Sequence, residues 1–278
     1  MAPRVSKSLL QQQQYFVEAT GATKAVAQQY LQAHGNVLER AINAYLDEAK
    51  NQQGAGALGK QSSQALIALF DRYVDPDEDL VTTDGALAMF EDLGIAPDSV
   101  AVLPLSYCLD APSLGRFHRE KYVAGWQKLL GSVKETPEEI LAQQREAIPQ
   151  LLDAFKQDKA LFGKSLYKSV YEYAFLFARN EGQKSLPLDV ALMLWDMLLP
   201  HSPSFSSAER QATFSQADFD SWKRFLTEAS GAKVITRDTW LQFLEFTREQ
   251  DAIANHDFNA AWPSLIDDFV AWARQNTQ

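Results

Sequence analysis

A single cysteine, Cys108, is all the thiol that this 278-residue chain holds, so no internal disulfide framework and no zinc site built on several thiolates can form. The four histidines, His34, His118, His201 and His256, are scattered, and none accompanies a glycine-flanked serine or another recognisable nucleophile motif. No glycine loop of the phosphate-cradling kind occurs, which leaves nothing to support a nucleotide enzyme. No apolar run approaches the length of a bilayer span, and Met1-Ala-Pro-Arg-Val-Ser-Lys7 has no apolar signal region and carries Ala2 where myristoylation needs glycine. An intracellular protein of nucleus or cytoplasm, without a membrane partner, is expected. Positive charge is also short. Residues 1–47 are net +1, with Arg4, Lys7, Lys24 and Arg40 against Glu18, Glu39 and Asp47, so of the total of −10 the remainder carries −11. Such a surface repels phosphate backbones and suits a basic protein partner rather than nucleic acid.

What the chain does have is apolar residues at helical spacing, within a 46% hydrophobic composition ample for a core. Leu9/Phe16 and Leu10/Val17 repeat at seven. Val26, Ala27, Tyr30 and Leu31 make a second stripe, and Leu38, Ala41, Ile42, Tyr45 and Leu46 a third, with Gly21 and Gly35 at the breaks. A three-helix bundle over 1–47 follows. Residues 48–63 hold three glycines and almost no bulky apolar side chain, which predicts a flexible linker. From 64 to 278 helical periodicity returns, predicting helices near 64–73, 84–93, 97–109, 116–131, 137–156, 160–178, 188–199, 215–229, 238–250 and 263–275, a polar loop over 200–217, and no convincing strand. The fold class is all-α.

The most motif-like segment is Asp75-Pro-Asp-Glu-Asp-Leu-Val-Thr-Thr-Asp-Gly-Ala86, with carboxylates at the first, third and fifth positions of a would-be calcium loop. Its sixth position has Leu80 where the turn needs glycine, and its twelfth has Ala86 where a bidentate glutamate is needed. An EF-hand-like helix-loop-helix without an ion is expected; a calcium-binding regulator is the alternative, which calorimetry with calcium would distinguish. Cys108 follows the apolar Val-Ala-Val-Leu-Pro-Leu-Ser-Tyr, so a buried, inert thiol is expected. No catalytic residue, metal site or cofactor is predicted.

Three further segments, in this order, carry a resemblance: Phe177-Ala-Arg-Asn-Glu-Gly-Gln-Lys-Ser-Leu-Pro-Leu-Asp-Val-Ala-Leu-Met-Leu-Trp195, Arg237-Asp-Thr-Trp240, and Ala261-Trp-Pro-Ser-Leu-Ile-Asp-Asp-Phe-Val270. Together with the gapless run from Asp84-Gly85 to Phe117, they resemble the potentiating-neddylation domain of the defective-in-cullin-neddylation family, over residues 64–278 of a fungal-like member. Ala27-Gln-Gln-Tyr-Leu31 and Ala41-Ile-Asn-Ala-Tyr-Leu46 resemble the ubiquitin-associated domain that many members carry. Thr20-Gly21-Ala22 replaces that domain's Met-Gly-aromatic loop, so weak or undetectable ubiquitin binding is expected.

The resemblance implies a non-catalytic scaffold that helps transfer a ubiquitin-like modifier from its conjugating enzyme to a cullin. It places an acidic docking patch for the cullin C-terminal domain on Asp238, Ala261 and Asp267, with Asp268 and Glu245 adding to the field. Asp238 also falls where an N-cap is expected. It places an apolar pocket for the N-acetylated methionine of the conjugating enzyme on Ala86, Val102, Leu105, Phe117, Phe177, Leu194 and Met197. By ordinary burial each of these seven is a core residue, and only the resemblance singles them out.

Overall fold

A computed structural model describes residues 7–20, 22–180, 182–205 and 213–276. The chain divides into two compact units, residues 1–64 and 65–278.

In the first unit, α1 (Lys7–Thr20), α2 (Lys24–Ala33) and the opening turns of α3 (Leu38–Phe70) close around Phe16, Ala22, Ala27, Leu31 and Ala41, with Tyr30 and Tyr45 edge-to-face beside them. The stripes read from the sequence supply this core; the side chains of Leu9, Leu10 and Leu46 and all of Gly21 lie outside the described residues. Asn36 and Gly35 take positive φ at the second break. Thr23 caps α2 by accepting from the Val26 N–H.

The predicted linker is corrected by the backbone: α3 runs unbroken from Leu38 to Phe70 through residues 48–63. Gly54, Gly56 and Gly59 each cost about 1 kcal/mol against alanine in a helix, but the residues between them are helix formers such as Ala55, Ala57, Leu58 and Lys60, and no proline interrupts.

The second unit continues through β1 (Val74–Asp75), β2 (Leu80–Val81), α4 (Thr83–Asp92), α5 (Val102–Cys108), α6 (Arg119–Leu130), α7 (Pro137–Lys156), β3 (Ala160–Leu161), β4 (Lys164–Ser165), α8 (Leu166–Phe177), β5 (Ser185–Pro187), α9 (Leu188–Leu198), α10 (Gln216–Arg224), β6 (Val234–Thr236), α11 (Arg237–Arg248), α12 (Ala252–Asn255) and α13 (Ser264–Asn276). Helices dominate, as expected, but the short antiparallel pairs β1·β2, β3·β4 and β5·β6 were not foreseen. At two or three residues each they are too short to register as alternation. The β3·β4 hairpin takes the start of the helix predicted over 160–178, and turns replace the first turn of the one predicted over 97–109. The pair β5·β6 joins one helix-loop-helix to the next, pairing Ser185 with Thr236, Leu186 with Ile235 and Pro187 with Val234.

The EF-hand-like segment lies between the end of α3 and α4. Gly85 is required there by close approach, because a Cβ on it would collide with the Tyr73 carbonyl oxygen at the end of the preceding helix. Arginines meet acidic side chains of this segment: Arg119 pairs with Asp71 and, at 2.7 Å, with Asp79, the fifth-position carboxylate, and Arg116 pairs with Glu78 at 2.6 Å.

The core of this unit is anchored by stacked aromatics. Trp240 lies against Tyr171 and Trp195, and Trp222 against Phe243. The polar edges of Trp195, Tyr171 and Trp240 are satisfied internally, whereas the buried Trp222 indole N–H has no partner among the described residues. The Trp195 indole donates to the Tyr171 hydroxyl at 2.8 Å, that hydroxyl donates to the Trp240 carbonyl at 2.9 Å, and the Trp240 indole donates to the Tyr171 carbonyl at 2.9 Å. These bonds tie α8, α9 and α11 into one frame.

Candidate functional site

Asp238 lies in the first turn of α11, whose position the Trp240 stack fixes. The expectation that Asp238 caps this helix is corrected: Thr236 is the cap, its hydroxyl accepting from the Thr239 N–H at 3.1 Å. A threonine two residues earlier suits the cap equally well, and the register set by β6 puts it there. Asp238 is thus exposed and released from a capping role, while its charge still favours the positive helix end.

Ala261 sits exposed in the turn between α12 and α13, which Asp257 organises by accepting from Asn259 N–H at 2.8 Å through its side chain and from Ala260 N–H at 3.1 Å through its carbonyl. Trp262 follows, half-buried and edge-to-face on Phe246. In α13, Ile266, Phe269, Val270 and Ala273 form the buried stripe that the periodicity predicts. Asp267 lies beside that stripe with its side chain 29% exposed, and Asp268 is exposed.

One partner escaped sequence reasoning. His256 Nε2 stands 2.7 Å from Asp267 Oδ1. A histidine eleven residues upstream, across a turn, leaves no periodic signal; only the packing of α12 on α13 brings the two together. The contribution expected of Glu245 is also corrected. It pairs with Lys168 at 2.8 Å and Arg248 at 3.5 Å, and although burial opposes ionisation, these partners hold its carboxyl below the usual range. Its charge is spent within the fold.

Asp238 and the His256–Asp267 pair lie towards opposite ends of α11. His256 abuts Phe246 in the last turn of α11, whereas Asp238 is in the first, about 12 Å away along the axis at 1.5 Å per residue.

The seven apolar positions fall on α4, α5, α8, α9 and the segment before α6. Ala86, Val102, Leu105, Phe117, Phe177 and Leu194 are all 4% exposed or less and belong to one hydrophobic cluster, against which half-buried Met197 packs. Phe117 meets Phe90 edge-to-face and Phe177 lies on Tyr173, whose hydroxyl donates to the Ala111 carbonyl at 2.6 Å. As the chain stands, these residues are closed core rather than an open pocket. Exposed Leu176, beside Phe177, and Met193, beside Leu194, leave apolar surface on α8 and α9.

Cys108 is half-buried, and burial pushes its thiol up to about 12, far from the range of a nucleophile at neutral pH. Among the described residues, no helix is long and apolar enough to cross a membrane.

Comparison with known proteins places both units. The family described as "Cullin binding" matches residues 143–272, which include Asp238, Ala261 and Asp267, and a UBA-like domain matches residues 11–52. The "Defective in cullin neddylation protein 1" of Mycosarcoma maydis is 41% identical over 296 aligned residues, covering 94% of this chain and 93% of that protein. Proteins of the same name from Cryptococcus neoformans and Candida albicans are each 30% identical, covering 94% and 96% of this chain and 92% and 97% of their own lengths. Matched across both its units and at nearly full length, the chain belongs to the defective-in-cullin-neddylation family.

Proposed function

We propose that this protein is a non-catalytic scaffold that binds a cullin and the conjugating enzyme of a ubiquitin-like modifier and promotes cullin neddylation. The observation that carries this reading is the surface formed by exposed Asp238 and Ala261 and the tethered, partly exposed Asp267, inside the segment matched by the cullin-binding family. Ala261 is small enough to let a partner backbone approach while its cations meet the carboxylates, so these residues suit the basic face of a cullin C-terminal domain. Charge pairing would steer association and weaken as salt rises.

The apolar set on α4, α5, α8 and α9 is the proposed seat of the N-acetylated methionine of the conjugating enzyme. Acetylation removes an ammonium whose desolvation among these side chains would be unpaired and costly. Because six of the seven residues are closed to solvent, entry requires Phe117, Phe177 and their neighbours to part, and Leu176 and Met193 offer the adjoining apolar surface for the helix that follows. Holding both proteins on one chain raises their effective concentration and restricts orientation at aminolysis, with no acid or base supplied from here. The site of action is inferred to be intracellular, in nucleus or cytoplasm, and ubiquitin binding by the first unit is inferred to be weak. A reconstituted cullin-modification assay with and without this protein is the test: acceleration is expected, and an unchanged rate with folded protein would overturn the reading.

A further inference from the structure

His256 is a buried polar side chain at the edge of the docking surface. Its ring is 1% exposed, walled by Phe246, by Phe258 at 4.9 Å edge-to-face, and by Trp262 at 5.7 Å between centroids. Its Nε2 nevertheless faces Asp267 Oδ1 at 2.7 Å, and since an ionised carboxylate only accepts, Nε2 carries the proton. The segment bearing His256 is itself pinned to α13. The Arg274 guanidinium donates to the carbonyls of Ile253 at 2.9 Å, Ala254 at 3.0 Å and His256 at 3.4 Å. Arg274 and Asp267 are two turns apart on the same helix, so ring, carboxylate and backbone form one closed unit.

We propose that His256 is a positioning residue for cullin docking: its Nε2–H holds one oxygen of Asp267 so that the carboxylate is fixed in a single orientation, with the other oxygen left for a cation of the partner. The inference rests on the docking role given above to Asp267. An aspartate free on a helix surface must surrender side-chain rotamer freedom when it binds; one already held by a buried donor has surrendered it on folding, and binding gains accordingly. The aromatic walls serve the same end by denying the ring any other orientation.

Two substitutions in the full-length chain separate this role from simple packing. His256→Phe keeps a ring against Phe246, Phe258 and Trp262 but has no donor; His256→Gln loses the ring but offers an amide N–H at comparable reach. Binding to the cullin C-terminal domain is measured by titration calorimetry, beside Asp267→Asn as a control on the docking role itself. His256→Phe should weaken binding about tenfold, the scale of a lost hydrogen bond to a charged group, and His256→Gln should recover most of it. Normal binding by His256→Phe with loss in His256→Gln would overturn the proposal, as would normal binding by both. Should His256→Phe fail to fold, His256→Met, also without a donor, takes its place. If Asp267→Asn itself binds normally, it is the docking role that fails; if Asp267→Asn loses binding while the donor-free variant does not, only the role of His256 fails.

Discussion

The two surfaces assigned to partners differ in how ready they are. In the acidic one, proposed for the cullin, the side chains are already presented: Asp238 is exposed on a helix fixed by Trp240, and Asp267 is held by His256 while part of it meets solvent. The apolar one is sealed, with six of its seven residues in the close-packed core. Charged side chains can be presented in advance because water solvates them until a partner arrives. Apolar side chains left open would expose a hydrophobic surface, so they close on one another and must be parted by the guest. Exposed Asp238 and Ala261 are therefore expected to act on binding alone, whereas Asp267, which also holds buried His256, and the residues of the second surface are expected to act on stability as well.

The sharpest way to break this distinction is the double change Ala261→Arg with Asp267→Lys. It should abolish cullin binding while helical circular dichroism and affinity for the acetylated peptide of the conjugating enzyme stay as they were. Loss of helicity or of peptide affinity would show the surfaces to be coupled. Phe117→Ala is the counterpart in the sealed region. Chemical unfolding should register a loss of about 3–5 kcal/mol, as for other large-to-small changes of a buried aromatic, together with weaker peptide binding. Wild-type stability in that variant would mean that the residue is not core. Removing the acetyl group from the peptide should cost roughly tenfold or more in affinity, because the ammonium would have to be desolvated without a partner. Equal affinities on titration would rule out entry of the terminus into an apolar seat.

Two smaller effects sharpen the boundary of the acidic surface. Glu245 has a lowered pKa, so its ion pairs contribute stability that is present above its ordinary value of 4.5 and is lost as pH falls below that through the folded value. Lys168→Ala should flatten this part of an acid-unfolding curve, cost less than about 1 kcal/mol at neutral pH since both partners are over two-fifths exposed, and leave cullin affinity nearly unchanged. Last, deleting residues 1–63 should leave the rate of cullin modification largely intact, because Leu66, Leu69 and Phe70, which belong to the core of the second unit, remain. A folded truncation that no longer accelerates the reaction would place part of the machinery in the first unit.

Local pattern determined a good deal of this. The stripe Ile266, Phe269, Val270 and Ala273 fixes both the existence of α13 and the side on which Asp267 and Asp268 fall, because helical periodicity is written into consecutive residues. The three-helix unit is legible for the same reason, whereas the segments that carry the family resemblance are legible through the identity and order of their residues. The glycines of 48–63 misled, since they signal a weak helix former without saying whether stronger neighbours outvote it. What the tertiary structure alone decided are contacts between residues far apart in the chain: β5 against β6, Glu245 drawn into pairs with Lys168 and Arg248, the closing of Phe117 and Phe177 into the core, and His256 brought onto Asp267. Apart from Glu245–Arg248, which are three residues apart on α11, each joins side chains or strands whose separation along the chain has no fixed period, and their meeting depends on how whole helices pack.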